Sequence, residues 1–398
     1  MSYGLDNYRR LLLSQFVLGM MFFYGIEQLF INTALGDTAA RGPITIAFIA
    51  GVLVFDIPTG VLADKFGRKV SLLAGCGVGL VSLLVLGAST SVALYIAGAL
   101  LYGLFISFHN GALEALLYDW LAERGETKQY ARAQGRVWAA YLLGAGAANI
   151  ASGLIANAVS LRSTYYFSMV PILLAGFLLF GLIEPKRAKR IDSKRGSFVA
   201  AAKHIIQSPR IMAFSLQFIA AEIIFLTIGE FGQIYILSFG VGTVVLGILW
   251  SIVAAFAAVG RIIAHRLQSK PRLVIATYCL SLGALSMLHH QIGIGIFWIV
   301  YGMTEMVQNI SETEIQHETA SEIRATVMST VSFAANSLAI PVVVLYTTIF
   351  KDHGIFTANA TVVLFVVVIL LGTLIAKPAK VKIIDDTKLT PSPPNIAV

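Results

Sequence analysis

The sequence predicts an all-α membrane protein of twelve transmembrane helices, arranged as two halves of six. Three observations lead there. The chain of 398 residues is 57% hydrophobic and only 13% charged, with a mean hydropathy of +0.80, whereas a soluble globular chain carries about 25% charged residues. Apolar runs close to the ~20 residues that a helix needs to cross a bilayer recur along its length. The Lys and Arg residues cluster on alternate connections between those runs, and the alternation stays in phase to the end of the chain.

The first run, 10–33, follows Arg9-Arg10. It exceeds the ~7–15 apolar residues of a signal peptide and lacks a cleavage site, so it reads as a span. The runs 43–63 and 69–88 flank a short charged turn, and 92–117, 135–158 and 164–184 complete a first half. A basic, polar break follows, from Pro185 to Pro209. The second half takes the runs 210–238, 243–264, 271–289, 292–313, 325–350 and 354–376. Glycine and small residues are frequent inside the runs, as helix contacts in lipid favour. The predicted organisation is therefore a six-helix half over 1–184, a cytoplasmic linker over 185–209, a second half over 210–376, and a polar, Pro-containing tail over 377–398 that is expected to be disordered.

With the N-terminus placed inside, all but three of the 29 basic residues fall on the inner side; Arg41, Arg162 and Lys351 are the exceptions. This predicts cytoplasmic termini. It also accounts for the net charge of +8 without nucleic acid as a partner. Cys76 and Cys279 lie in apolar runs of different halves and read as small core residues, so neither a disulfide, a metal site nor a cofactor is expected. No HExxH, Walker loop, nucleophile–base pair or His/Cys cluster appears, which argues against an enzyme.

The informative residues are the ionisable groups inside the runs, since each costs about 2.5–3.5 kcal/mol on insertion scales. They are Glu27 in span 1, Asp56 in span 2, His109 and Glu114 in span 4, Glu222 and Glu230 in span 7, and Glu305 in span 10, with Glu312 and Glu314 at or past its inner end. At 1.5 Å per residue, Glu222 lies about 18 Å from the start of span 7 and Glu305 about 20 Å into span 10, both near the midplane. A carboxyl that changes charge as a cavity opens to one side or the other is a proton carrier. Glu222, Glu305, Glu27, Glu230, Glu114 and His109 are therefore the candidate proton-coupling or substrate-binding groups. The alternative for each acid is a structural hydrogen bond to a neighbouring helix, and for His109 a satisfied core imidazole. Phe22, Phe23, Tyr24 and Gln28 near Glu27, Phe218 and Phe225 near Glu222, and Tyr301, Gln308 and Asn309 near Glu305 suit an amphipathic organic ligand. No Lys or Arg falls at the middle of a run, which argues against a strongly anionic one.

Between spans 2 and 3 stands Gly60-Val-Leu-Ala-Asp64-Lys65-Phe-Gly67-Arg68-Lys69. It resembles the loop 2–3 signature of the major facilitator superfamily, G-x-L-A-D-x-x-G-R-K, with every main position filled. The equivalent place in the second half, Gly260-Arg-Ile-Ile-Ala264-His265-Arg266, carries Ala264 in place of the acid. The resemblance implies two parallel six-helix halves around a midplane site. It also implies a conformational latch of Gly60, Asp64, Gly67, Arg68, Lys69 and Asp119. In it Asp64 sits against the start of span 11, about 321–326, where a helix N-terminus welcomes a carboxylate, and Arg68 pairs with Asp119. Such a latch favours the outward-open state.

Two markers of proton-driven drug exporters are absent. Ala99 and Ser107 stand where a span 4 Arg precedes a Gly by four residues, and span 5 has Gly144, Gly146 and Gly153 but no Pro. The segments Glu114–Asp119 and Arg324–Ser329 nonetheless resemble bacterial facilitators often grouped with exporters. The function expected is secondary active transport across a bacterial inner (plasma) membrane: proton-coupled export of a hydrophobic or cationic small organic compound. Uptake of a small polar metabolite by proton symport is the alternative. A small-molecule substrate, protons and the lipid bilayer are the expected partners, with the chain acting as a monomer.

Overall fold

The computed structural model describes residues 2–184, 198–319 and 323–375. Most of the predicted linker and the tail lie outside the described residues, as do the side chains of Asp64 and Arg324 and the start of span 11 at 320–322. Every element found is helical. In chain order the helices are α1 (Ser2–Gly19), α2 (Glu27–Ala34), α3 (Arg41–Phe66), α4 (Arg68–Ala88), α5 (Val92–Glu123), α6 (Tyr130–Ala158), α7 (Ser163–Phe167) and α8 (Met169–Phe180), then α9 (Phe198–Gln207), α10 (Pro209–Ile224), α11 (Gly232–Leu237), α12 (Thr243–Leu267), α13 (Pro271–Met287), α14 (Ile292–Glu318) and α15 (Arg324–Ile375).

Grouped as crossings, these give twelve among the described residues. The pairs α1–α2, α7–α8 and α10–α11 each form one broken crossing. The helix α15 forms two, because Gly354 interrupts it at φ 82°, ψ 173°. That left-handed φ is routine for glycine and strained for other residues, so the chain turns back there within one residue. Nine stretches are long and apolar enough to qualify as spans by composition alone, among the described residues. The shortfall is physical: α13 is short, α14 is crowded with polar side chains, and the last two crossings run together.

Each half has its own apolar core. Leu11, Leu72, Leu83, Leu116 and Ile172 centre the first, and Leu226, Phe231, Val253, Leu282 and Val331 the second. Ile49 of α3 belongs to the second core, so α3 is shared between the halves. Glycines set the closest crossings. A Cβ on Gly144 of α6 would stand 1.9 Å from the Phe16 carbonyl oxygen of α1, and one on Gly260 of α12 would stand 2.0 Å from the Gly302 carbonyl oxygen of α14. Contacts this tight are the small-residue packing that lipid-embedded helices use.

Several helices outrun the predicted runs. The α5 helix continues to Glu123, α6 starts at Tyr130 and α14 reaches Glu318, because charged turns beyond the apolar zone still propagate a helix. The predicted linker also contains a helix. In α9, Ala201 and Ile205 are buried, while Val199 and Ile206 are exposed. Spans 1, 6 and 7, predicted as continuous, are all interrupted.

Candidate functional site

Two of the three interrupted crossings, spans 1 and 7, place the site. Span 1 leaves helical geometry after Gly19 and resumes through a short 3₁₀ turn at Tyr24–Ile26. This puts Glu27 in the first turn of α2, where unpaired backbone N–H groups favour a carboxylate. In span 7 a π-helical turn, Phe225–Gly229, separates Glu222 from Glu230. Such turns insert one extra residue and occur most often at functional positions.

Two arginine-centred clusters surround these breaks. In the first, Arg261 of α12 donates from Nε to Glu305 Oε2 of α14 at 2.5 Å, with Glu305 buried and Arg261 mostly so. The Gly260–Gly302 crossing brings the pair together, since each residue follows its glycine within one turn. Glu222 lies close enough to Arg261 and Glu305 to share their field, yet its direct partner is neutral: Gln308 Nε2 donates to Glu222 Oε2 at 2.6 Å. The Arg261 guanidinium also lies 5.0 Å over the ring of Trp138, from the first half. Nearby, Gln134 donates to Glu114 at 3.2 Å and to Glu312 at 3.3 Å, so one amide joins acids of the two halves. Four carboxyls, Glu114, Glu222, Glu305 and Glu312, therefore gather around a single arginine. Tyr141, Trp138, Phe225 and Tyr301 around them stay partly exposed although they lie deep in the bundle.

In the second cluster, Arg41 of α3 is 6% exposed. It contacts Glu27 at 2.6 Å and also pairs with Glu230. The two acids come from opposite halves. Tyr95 donates to Glu27 at 2.7 Å and lies 2.8 Å from Tyr165. Beside the triad, the Gln28 backbone N–H donates to Gln233 Oε1 at 3.0 Å, and Gln233 Nε2 donates to the Tyr24 carbonyl.

Sequence reasoning found the acids and missed their partners. The charge pattern puts Arg41 on an outer connection and Arg261 on an inner one, and offers the acids hydrogen-bonding neighbours without naming an arginine for Glu27, Glu230 or Glu305. The structure corrects this: both arginines are in helices and face membrane acids. Each lies within about two turns of a helix end, and a long side chain reaches along the helix surface. Neither arginine stands at the middle of its helix, but their side chains reach the membrane acids from near the helix ends. Glu314 pairs instead with Arg210, at 2.8 Å, and Glu318 with the same arginine at 3.0 Å. His109 joins neither cluster. It packs against Phe105, and both ring nitrogens are buried without a hydrogen-bond partner among the described residues.

At the opposite end from Arg41, the charged turn between α3 and α4 hinges on Gly67, at φ 113°. Arg68 pairs with Asp119 of α5 and donates to the Ala115 carbonyl. The Arg68 backbone N–H donates to Glu184 at 2.8 Å, a carboxylate that the sequence pattern did not single out. Lys69 lies 5.0 Å over the ring of Phe180. A Cβ on Gly60 would meet open space. The expected contact of Asp64 with the start of span 11 lies outside the described residues.

The family model described as Major Facilitator Superfamily matches residues 11–344. Multidrug resistance protein 2 of Bacillus subtilis is 23% identical over 189 residues, which are 46% of this chain and 46% of that protein, so the match spans less than half the relative's length. Among solved structures, the nucleoside transporter NupG superposes with a TM-score of 0.74 at 16% identity, over 94% of this chain and 99% of that one. A bacterial homolog of the human lysosomal transporter Spinster, inward-facing and occupied, superposes with a TM-score of 0.71 at 14% identity, over 94% and 96%. At these identities the structural likeness speaks to the fold.

Proposed function

Because the chain belongs to the major facilitator superfamily, as a membrane transporter of small molecules and not an enzyme, we propose that it exports a hydrophobic or cationic organic compound in exchange for protons, by alternating access. The observation that carries this reading is the surplus of acid in the central cluster: four carboxyls around Arg261, of which Glu222 is held only by a neutral amide. A proton or an organic cation is what such a site lacks, and aromatic side chains favour a cation over their faces. Glu222 is the exchanging group, and Glu305 senses it through the arginine they share. The partial match to a multidrug resistance protein supports the substrate class.

In this reading the basic side of the protein faces the cytoplasm of a bacterial cell. The Arg68–Asp119 pair braces the first half at that surface as part of the latch, and the halves at 1–184 and 210–376 move as units joined by the linker. The chain works as a monomer.

The test is a proteoliposome assay with an imposed pH gradient and a panel of lipophilic cations, on the wild type and on Glu222→Gln and Glu305→Gln. Substrate-evoked proton movement that either variant abolishes is the expected result. Transport that ignores the gradient and both variants overturns the coupling scheme. Transport only of substrate added on the opposite side reverses the direction.

A further inference from the structure

The Arg41 triad lies outside the central acid cluster and needs a role of its own. Arg41 and Glu27 belong to the first half and Glu230 to the second, so the pair between Arg41 and Glu230 must break whenever the halves separate at that end. Neighbouring contacts also join the halves there: Gln28 to Gln233, Gln233 to Tyr24, and the close approach of Gly42 to Thr347. The charged side chains at the triad are Arg41, Glu27 and Glu230. The titratable hydroxyls near them are Tyr95, Tyr165 and Tyr24. Two carboxylates share one guanidinium, and the Arg41 Nε is buried without a partner among the described residues.

Glu230 follows directly on the π-helical turn Phe225–Gly229, and Glu222 lies just before it on the same helix. A π turn holds one residue more than the α turn it replaces. Returning that residue to α geometry rotates everything beyond it by about 100° relative to Glu222. Gly229 lies against the other side of the turn, where a Cβ would come 3.2 Å from the Tyr301 ring, and Tyr301 stands beside Glu305 and Glu222.

We propose that the Arg41–Glu27–Glu230 triad is the gate at the end of the protein opposite Arg68, and that the π turn of span 7 sets its register. With the turn in place, Glu230 points at Arg41 and the gate is shut. When the central site changes its occupant, the turn relaxes, Glu230 swings off Arg41 and the two halves part at that end. This rests on the alternating-access reading but not on which acid carries a proton or what is exported.

A labelling experiment separates the two. Thr45 lies one helical turn from Arg41 on α3 and is 2% exposed, so Thr45→Cys reports whether the gate is open. The reporter is placed in the full chain with Cys76→Ser and Cys279→Ser, reconstituted in liposomes, and reacted with a membrane-impermeant maleimide. Arg41→Gln leaves two carboxylates facing each other and is expected to raise the labelling rate about tenfold or more. Glu230→Gln leaves Arg41 its Glu27 partner and is expected to raise it by less. Gly229→Ala crowds Tyr301 without touching the triad and is expected to raise it too.

Unchanged labelling in both charge variants overturns the gate. Changed labelling in those two but not in Gly229→Ala overturns the role of the π turn. A monodisperse elution profile for each variant shows that the rate reports opening of a folded protein. Because the readout needs no substrate and no proton gradient, failure of the coupling scheme leaves it intact.

Discussion

The two arginine clusters use the same parts to different ends. At Arg41 one ion pair, with Glu230, runs across the divide, and the other, with Glu27, stays within the first half. At Arg261 the ion pair stays within the second half, and the links to the first half are an indole face and a shared amide. Between the halves, the cluster at the Arg41 end is bolted by charge, and the central cluster rests on softer contacts. Removing one partner of a buried pair costs about 3–5 kcal/mol, because it strands the other charge. Sliding an aromatic ring off a guanidinium costs about 0.5–2 kcal/mol. Where an arginine stands between the halves thus matters more than that it is buried.

The largest expected effect separates the two arginines directly. Arg41→Gln strands two carboxylates and Arg261→Gln one close partner, each breaking a buried pair worth about 3–5 kcal/mol. Both should lower the thermal unfolding temperature in detergent, Arg41→Gln the more. An equal or larger loss for Arg261→Gln would erase the distinction between a bolted end and a soft centre. Next comes the contrast inside the central cluster. Glu222→Gln exchanges a carboxylate for an amide opposite another amide, so its stability cost is about 0.5–1.5 kcal/mol. Glu305→Gln leaves Arg261 without its ion partner and should unfold several degrees lower than Glu222→Gln, with substrate-evoked proton flux lost in both. A thermal scan and the flux assay on the same preparations show whether the two acids divide the work.

Smaller effects test the frame around the clusters. Gly354→Ala forces a side chain into a left-handed φ of 82° and should cost about 1–2 kcal/mol, seen as less folded protein at unchanged transport per molecule. Arg68→Ala removes a half-buried pair with Asp119 and should cost about 1 kcal/mol, while speeding access from the basic side. No change in access would leave that pair as a brace and nothing more.

Much of the fold was legible because bilayer thickness fixes run length and charge alternation fixes phase. Glu222 and Glu305 stood out because carboxyls are rare in lipid. Their partners did not, because rotation about a helix axis cannot be read from a run of apolar letters. Arg261 was hidden by Arg266, Lys270 and Arg272 downstream, which gave it the look of a loop residue. Arg41 was hidden by Pro43, where the apolar run seemed to begin. The breaks in spans 1 and 7 left no proline signal: Gly19 and Gly25 flank one and Gly229 ends the other, and glycine serves equally well in the unbroken α6.

The indole under Arg261 has an optical consequence. The chain contains four tryptophans, and of these Trp138 alone, among the described residues, carries an arginine over its face. An excited indole responds to the charge above it, so a substrate that draws Arg261 aside, or a cation that takes its place, alters the emission of that one residue. With Trp120, Trp250 and Trp298 changed to phenylalanine, the transporter becomes its own dye, and occupancy of the central site can be followed by light, without an attached label.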